Sequence, residues 1–314
     1  MPYLSCQQRS PVFTHSLDAM QSYQPRHGPA SLQQYTAHYL AHTQSNPHDV
    51  FLGLDNLSFA SRAVWDRYSP TSEGLRIVRD RADHRMLSFT LIGDISYESF
   101  NLHPGDGYGE NGSTLLDLTS TFRVERPRHC AYSHLWDRTL LNITYLKEAA
   151  IFNEDAPMLS ANNGTITLCH RFVNATDPNA LEGKEDPSLR TVVRSERAPD
   201  ILKYYDPDHW GLSSADALDQ LLECSVNPAY IVRLLPAFIC GENRRLLQPR
   251  QYPLLRGSLV QVTFTVRDVA MDDLGTPDSR NAFVAVVRNI DVLLPAQYNE
   301  YTSELWNGSG LSWS

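Results

Sequence analysis

The sequence predicts an α+β fold, mainly antiparallel β: a barrel-like or sandwich body with a few peripheral helices. Three observations carry this. From Leu259 the chain alternates, with Val260, Val262, Phe264 and Val266 on one side and Gln261, Thr263, Thr265 and Arg267 on the other. That is the period of two of a strand with one buried face. After a break rich in Asp and Gly, Val284, Val286, Ile290, Val292 and Leu294 form a second run expected to share one face. Finally, no strand–helix–strand alternation repeats along the chain, which argues against a doubly wound parallel sheet.

The earlier elements follow in order. Residues 1–74 form a polar N-terminal arm with short helices, rich in Gln, Ser, Tyr and His over residues 1–48 and punctuated by Pro11, Pro25 and Pro29. A helix is expected over 58–68, where Phe59, Ala63 and either Val64 or Trp65 fall at helical spacing before Pro70. The β-rich body is placed at 75–295. Residues 86–96 read as a strand, 104–113 as a glycine-dense loop and 115–124 as a second strand. The segment 135–152 is ambiguous, β-branched in its first part and helical toward Lys147. A short strand at 166–173 precedes a hydrophilic insertion at 174–190. Ser213 and Asp216 then open a helix whose Leu218, Leu221 and Leu222 line one face before Asn227-Pro228 ends it. The apolar run 230–239 reads as one strand buried on both faces. Residues 296–314 are an aromatic tail carrying Trp306 and Trp313.

Composition bounds the function. The hydrophobic fraction of 42% is too high for a mostly disordered chain. No apolar run reaches the length needed to span a bilayer, and the first residues lack a basic segment followed by an apolar core. An intracellular protein, in cytoplasm or nucleus and off the membrane, is the expectation. Cys6, Cys130, Cys169, Cys224 and Cys240 are odd in number and widely spaced, a poor disulfide framework. Sequons such as those at Asn56 and Asn142 are read as chance. A net charge of -9 excludes a protein that coats nucleic acid by bulk charge alone. Only Lys147, Lys184 and Lys203 are lysines, so nearly every cation is an arginine, through codon usage or through a local need for the guanidinium fork.

Four constellations carry possible chemistry. The loop of Gly105, Gly107, Gly109 and Gly112 resembles a phosphate cradle, but a strand is expected after it and Asp106 and Glu110 would repel phosphate; it reads as a hairpin connection. His129, Cys130 and His134, with Cys169 and His170, lack the paired spacing of a zinc site. Asp206, Asp208 and His209 could hold a divalent ion, although Pro207 favours a turn. The most suggestive set is Arg244, Arg245, Arg250, Tyr252 and Arg256, with Arg267 on the following strand and Glu242 the one acid among them. Guanidinium groups for the backbone and a ring for a base are what a single-stranded nucleic-acid groove uses. A solvated Arg-rich loop has the same composition.

The stretch Leu254-Leu255-Arg256-Gly257-Ser258-Leu259-Val260-Gln261-Val262-Thr263-Phe264 resembles the strand openings of OB-type barrels, where a small turn residue launches a long alternating strand. It is also similar to uncharacterised fungal proteins that end in a like pair of strands. The resemblance implies a barrel that binds single strands or a partner peptide. The expectation is therefore a non-catalytic binding protein taking single-stranded DNA or RNA on Arg244, Arg245, Arg250, Tyr252, Arg256 and Arg267. No catalytic residue, metal or cofactor is expected. Two alternatives stand: a protein–protein scaffold or assembly subunit using the arm and Trp306 and Trp313, and a metal-dependent enzyme using Asp206, Asp208 and His209.

Overall fold

The computed structural model describes residues 48–53, 62–67, 76–106, 108–109, 113–116, 118–149, 160–161, 164–175, 207–212, 214–239, 245–269 and 282–296. Thirteen strands are named in it. β1 (Asp49–Phe51), β2 (Ala63–Arg67), β3 (Arg76–Asp80), β4 (Ser88–Ile95) and β5 (Ser120–Glu125) precede a long helix, α1 (Cys130–Ala149). β6 (Ser160–Ala161), β7 (Thr165–His170) and β8 (Val173–Ala175) follow, then the single turn α2 (Pro207–Trp210) and α3 (Ala215–Val226). β9 (Tyr230–Val232), β10 (Ala237–Ile239), β11 (Arg245–Leu246), a 3-10 helix (Pro249–Leu255), β12 (Leu259–Val269) and β13 (Ala282–Leu294) complete it.

Most strands join one sheet in the order β11-β10-β13-β7-β5-β4-β12-β3-β2. β12 also pairs along its whole length with β13, so β13, β7, β5, β4 and β12 close into a five-strand ring. The barrel is mixed: β13 runs parallel to β7 and to β10, and β1 parallel to β4, while the other neighbours are antiparallel. β8 and β9 form a separate two-stranded ribbon. β1 and β2, which fall within the stretch expected to be an arm, are part of the main sheet. Most of that arm and all of the tail past residue 296, Trp306 and Trp313 included, lie outside the described residues.

The alternation in β12 sorts as expected. Val260, Val262, Phe264 and Val266 enter the main core with Phe89, Leu91, Phe122 and Leu168. β13 departs from the expected single face. Its register to β12 slips between Leu259 and Val260 and again between Thr263 and Phe264. Such bulges turn the strand over. Ala285, Val287, Ile290 and Val292 therefore face the main core, while Val284 and Val286 sit opposite Arg267 and Thr265 on the other face.

α1 resolves the ambiguous segment as one helix. Tyr132, Trp136, Thr139, Ile143 and Leu146 are buried at alternating spacings of four and three, an amphipathic stripe that outweighs the β-branched residues in it. Trp136 lies against Gly93 of β4 and donates from Nε1 to the Gly164 carbonyl at 3.1 Å. Asn142, whose sequon was expected to be chance, is buried and donates to the Leu52 carbonyl at 2.7 Å.

Three other expectations need correction. The stretch expected as a helix contains β2, paired with β3 from Ala63↔Asp80 to Arg67↔Arg76. The 230–239 run is two short strands in different sheets. Between them the Tyr252 hydroxyl accepts the Leu235 N–H at 3.0 Å and lies 3.3 Å from the Leu235 carbonyl, filling the hydrogen bonds that a strand would have made. In α3 the cap is Ser214, one residue later than expected. Its buried stripe is Ala217, Leu221 and Cys224, which leaves Leu222 42% exposed.

Candidate functional site

The structure places the arginines expected to form one groove on several elements. Arg244 lies outside the described residues. Arg245 is exposed on β11 at the sheet edge. Arg250 is exposed on the 3-10 helix and donates from Nε to Gln248 Oε1 at 2.9 Å. Tyr252 is 0% exposed, stacks on Phe172 at 6.0 Å and is anchored to Leu235. Its ring is core, not a platform at the surface. Arg256 precedes β12, whereas Arg267 is half-buried near its far end, opposite Val284 and Ile77. At about 3.3 Å per residue, Leu259 and Arg267 alone are roughly 26 Å apart.

Among the other sequence candidates, the side chain of Cys130 lies outside the described residues. Cys169 and His170 are successive residues of β7 on opposite faces, as expected for a strand. Cys169 is a free thiol pushed up to about 12 by burial, against the nearby charges of Arg267 and Arg171. His134 is exposed on α1 while His129 is buried. His209 lies in α2; Asp206 and the side chain of Asp208 lie outside the described residues. Among the described residues the metal-like grouping is His48, Asp80 and Asp83. There the Arg62 guanidinium already bonds the Asp80 carboxylate and lowers its pKa, with the Ala82 N–H adding to the same effect.

The structure does bring guanidinium and ring together at a different place, the corner where β4 ends and β12 begins. Ile95 donates its N–H to the Ser258 carbonyl at 2.9 Å and accepts the Gly257 N–H at 2.8 Å, clasping the two segments. Gly257 has φ 71°, and a Cβ there would stand 2.1 Å from the Tyr97 hydroxyl, so only glycine fits this turn. Tyr97 is 50% exposed. The Arg128 guanidinium lies 5.9 Å from its ring centre, donates from Nε to Asp94 Oδ2 at 2.8 Å and reaches the Gly257 carbonyl at 3.1 Å.

Arg256, next along the chain, stands 4.7 Å over the Phe100 ring and donates to the Phe100 carbonyl at 3.3 Å. Two guanidinium–ring pairs thus meet around one turn. Ser99 holds φ 51° in the loop that carries both rings, an unusual backbone for serine. Arg250 and His103 both lie against Gly211. Burial lowers the pKa of His103, with Asp106 opposing.

Of the side chains at this corner the sequence had pointed to Arg256 and not to Tyr97, Phe100 or Arg128. The signal available for those was slight: an aromatic pair at the end of a strand and an Arg-Pro-Arg run, with nothing to say they meet. No helix of the described residues is long and apolar enough to cross a membrane. No family model, curated protein or solved structure matches the chain.

Proposed function

We propose that this protein binds single-stranded nucleic acid, without catalysis, at the corner formed by Tyr97, Phe100, Arg128, Arg256 and Gly257. The observation that carries the proposal is the half-exposed Tyr97 ring with the Arg128 guanidinium, held by Asp94 and the Gly257 carbonyl, beside it, and Arg256 held on the buried Phe100 next along the chain from Gly257. An unpaired base has an aromatic face to stack on such a ring, and its phosphates suit guanidinium N–H donors. The contacts that hold Arg128 and Arg256 limit their motion, so less side-chain freedom is lost on binding. The closed five-strand ring, entered by a glycine turn, is also in keeping with the OB-type resemblance of residues 254–264. With a net charge of -9 the attraction is local rather than global, which makes it sensitive to salt.

Fluorescence anisotropy with a labelled 12-nucleotide single strand tests this. Binding should weaken as salt rises from 50 to 200 mM. Tyr97→Ala should weaken it by about 5- to 100-fold, the loss of one stacked base, about 1–3 kcal/mol. Arg256→Ala should lower affinity and reduce the salt slope by about one. Arg245→Ala, on the edge strand β11 and outside this corner, should change nothing. Saturation that is absent or independent of salt rejects the proposal, as does loss of binding in Arg245→Ala with Tyr97→Ala unaffected.

A further inference from the structure

On the face of β4, β12 and β13 turned away from the main core, three polar residues stand on adjacent strands. Gln261 is the register partner of both Ile92 and Asp291, and Asp94 is the partner of Leu259, two residues before Gln261 on the same face. Asp94 and Asp291 are 0% exposed and Gln261 1%. Asp94 Oδ2 accepts from the Arg128 N–H and Nε, and Asp291 Oδ2 accepts from Asn289 Nδ2. By contrast Asp94 Oδ1, Gln261 Oε1 and Gln261 Nε2 have no hydrogen-bond partner among the described residues. Burying an amide with neither end bonded opposes folding, so folded proteins rarely keep one without another use for it.

The surroundings are apolar, as those of small-molecule sites are. Phe51, Ile92, Tyr132, Leu259, Leu293 and Leu294 form a second apolar cluster here, apart from the main core. Apolar walls with a few convergent polar groups are the usual make-up of such sites. The polar atoms also define the ligand. The Gln261 amide offers a donor beside an acceptor, which matches another amide-type edge in a paired hydrogen-bond ring, and Asp94 Oδ1 accepts one further N–H. Two buried carboxylates, one of them already bonded to Arg128, disfavour an anion, and burial holds the neighbouring His129 toward its neutral form.

We infer that Gln261, with Asp94 beside it, binds a small neutral molecule presenting an amide-type edge on an apolar or aromatic body. This stands whether or not the corner at Gly257 binds nucleic acid.

The test uses benzamide as the probe, benzoate and toluene as controls, and the full chain. Calorimetry should show saturable binding of benzamide, with benzoate and toluene at least tenfold weaker. Gln261→Leu and the near-isosteric Gln261→Met should weaken benzamide at least tenfold while raising the melting temperature, because an unbonded buried amide has been removed. The contrast among the three probes on the unaltered protein keeps the test decisive should both variants fail to fold. The inference is overturned if benzamide does not saturate, if toluene binds equally well, if the variants bind benzamide unchanged, or if crystals soaked in benzamide hold only ordered water on these atoms.

Discussion

His170 shows how much one buried residue can decide. It is 5% exposed, packs edge-on to Phe172 at 4.8 Å, and its Nε2 lies 3.1 Å from the Arg233 carbonyl. Burial, the largest cause, pushes its pKa down to about 4; the Arg233 carbonyl opposes this and the Arg233 charge adds to it. The folded pKa lies below the unfolded value of about 6.5, so the unfolded chain takes up the proton first. The stability that neutral His170 supports is therefore complete above pH 6.5 and lost as pH falls toward 4. It amounts to about 3 kcal/mol across that window. Urea unfolding at pH 7.5 and 4.5 should show this loss, and His170→Gln should flatten that part of the pH dependence; an identical pH dependence in the variant contradicts it. None of this could be read from a His among apolar neighbours in a strand. The same limit explains Tyr252: its place among arginines in the sequence suggested a surface, but its hydroxyl is what satisfies the break at Leu235. Which ring of a turn goes inward depends on the backbone it must complete, and that backbone is not local in sequence.

At the scale of elements, the seat of α1 on β4 is the contact most exposed to a single change. A Cβ on Gly93 would stand 2.4 Å from Val124 Cγ1, 2.7 Å from the Glu125 carbonyl oxygen and 2.9 Å from Trp136. One of those neighbours is backbone, so the strand pair or the helix has to move. Gly93→Ala should destabilise the fold by about 1–3 kcal/mol, read as a lower urea midpoint; an unchanged midpoint contradicts the close seating of Trp136. Elements with a strong period were legible: the β12 alternation placed its core residues correctly. The β13 faces were not, because a bulge is a mismatch between two strands and leaves no mark in the period of one. α1 was obscured by Ile143 and Thr144, whose β-branching outweighed a stripe that begins at Tyr132, before the segment considered. The slip in α3 came from reading Ser213 rather than Ser214 as the cap, which rotates the assumed face by one residue.

At the scale of the molecule, the β-rich class and barrel-like form followed from the period-two runs and the lack of a repeated strand–helix–strand alternation, but closure did not. Closure needs β12 to pair with both β13 and β4, and it needs the parallel contact of β13 with β7, which joins segments far apart in the chain. The candidate corner has the same character. Tyr97, Arg128 and Arg256 come from three separate stretches, and they meet only because the ring brings the end of β4 to the start of β12. Photocrosslinking tests the corner most directly. A 12-nucleotide single strand carrying 5-bromouracil is irradiated with the protein, and the modified residue is located by mass spectrometry. The account predicts adducts at Tyr97 or on the adjoining residues 96–100 and 256–257. Adducts confined to β11 or to the β12 end at Arg267, or none under saturating conditions, would contradict it.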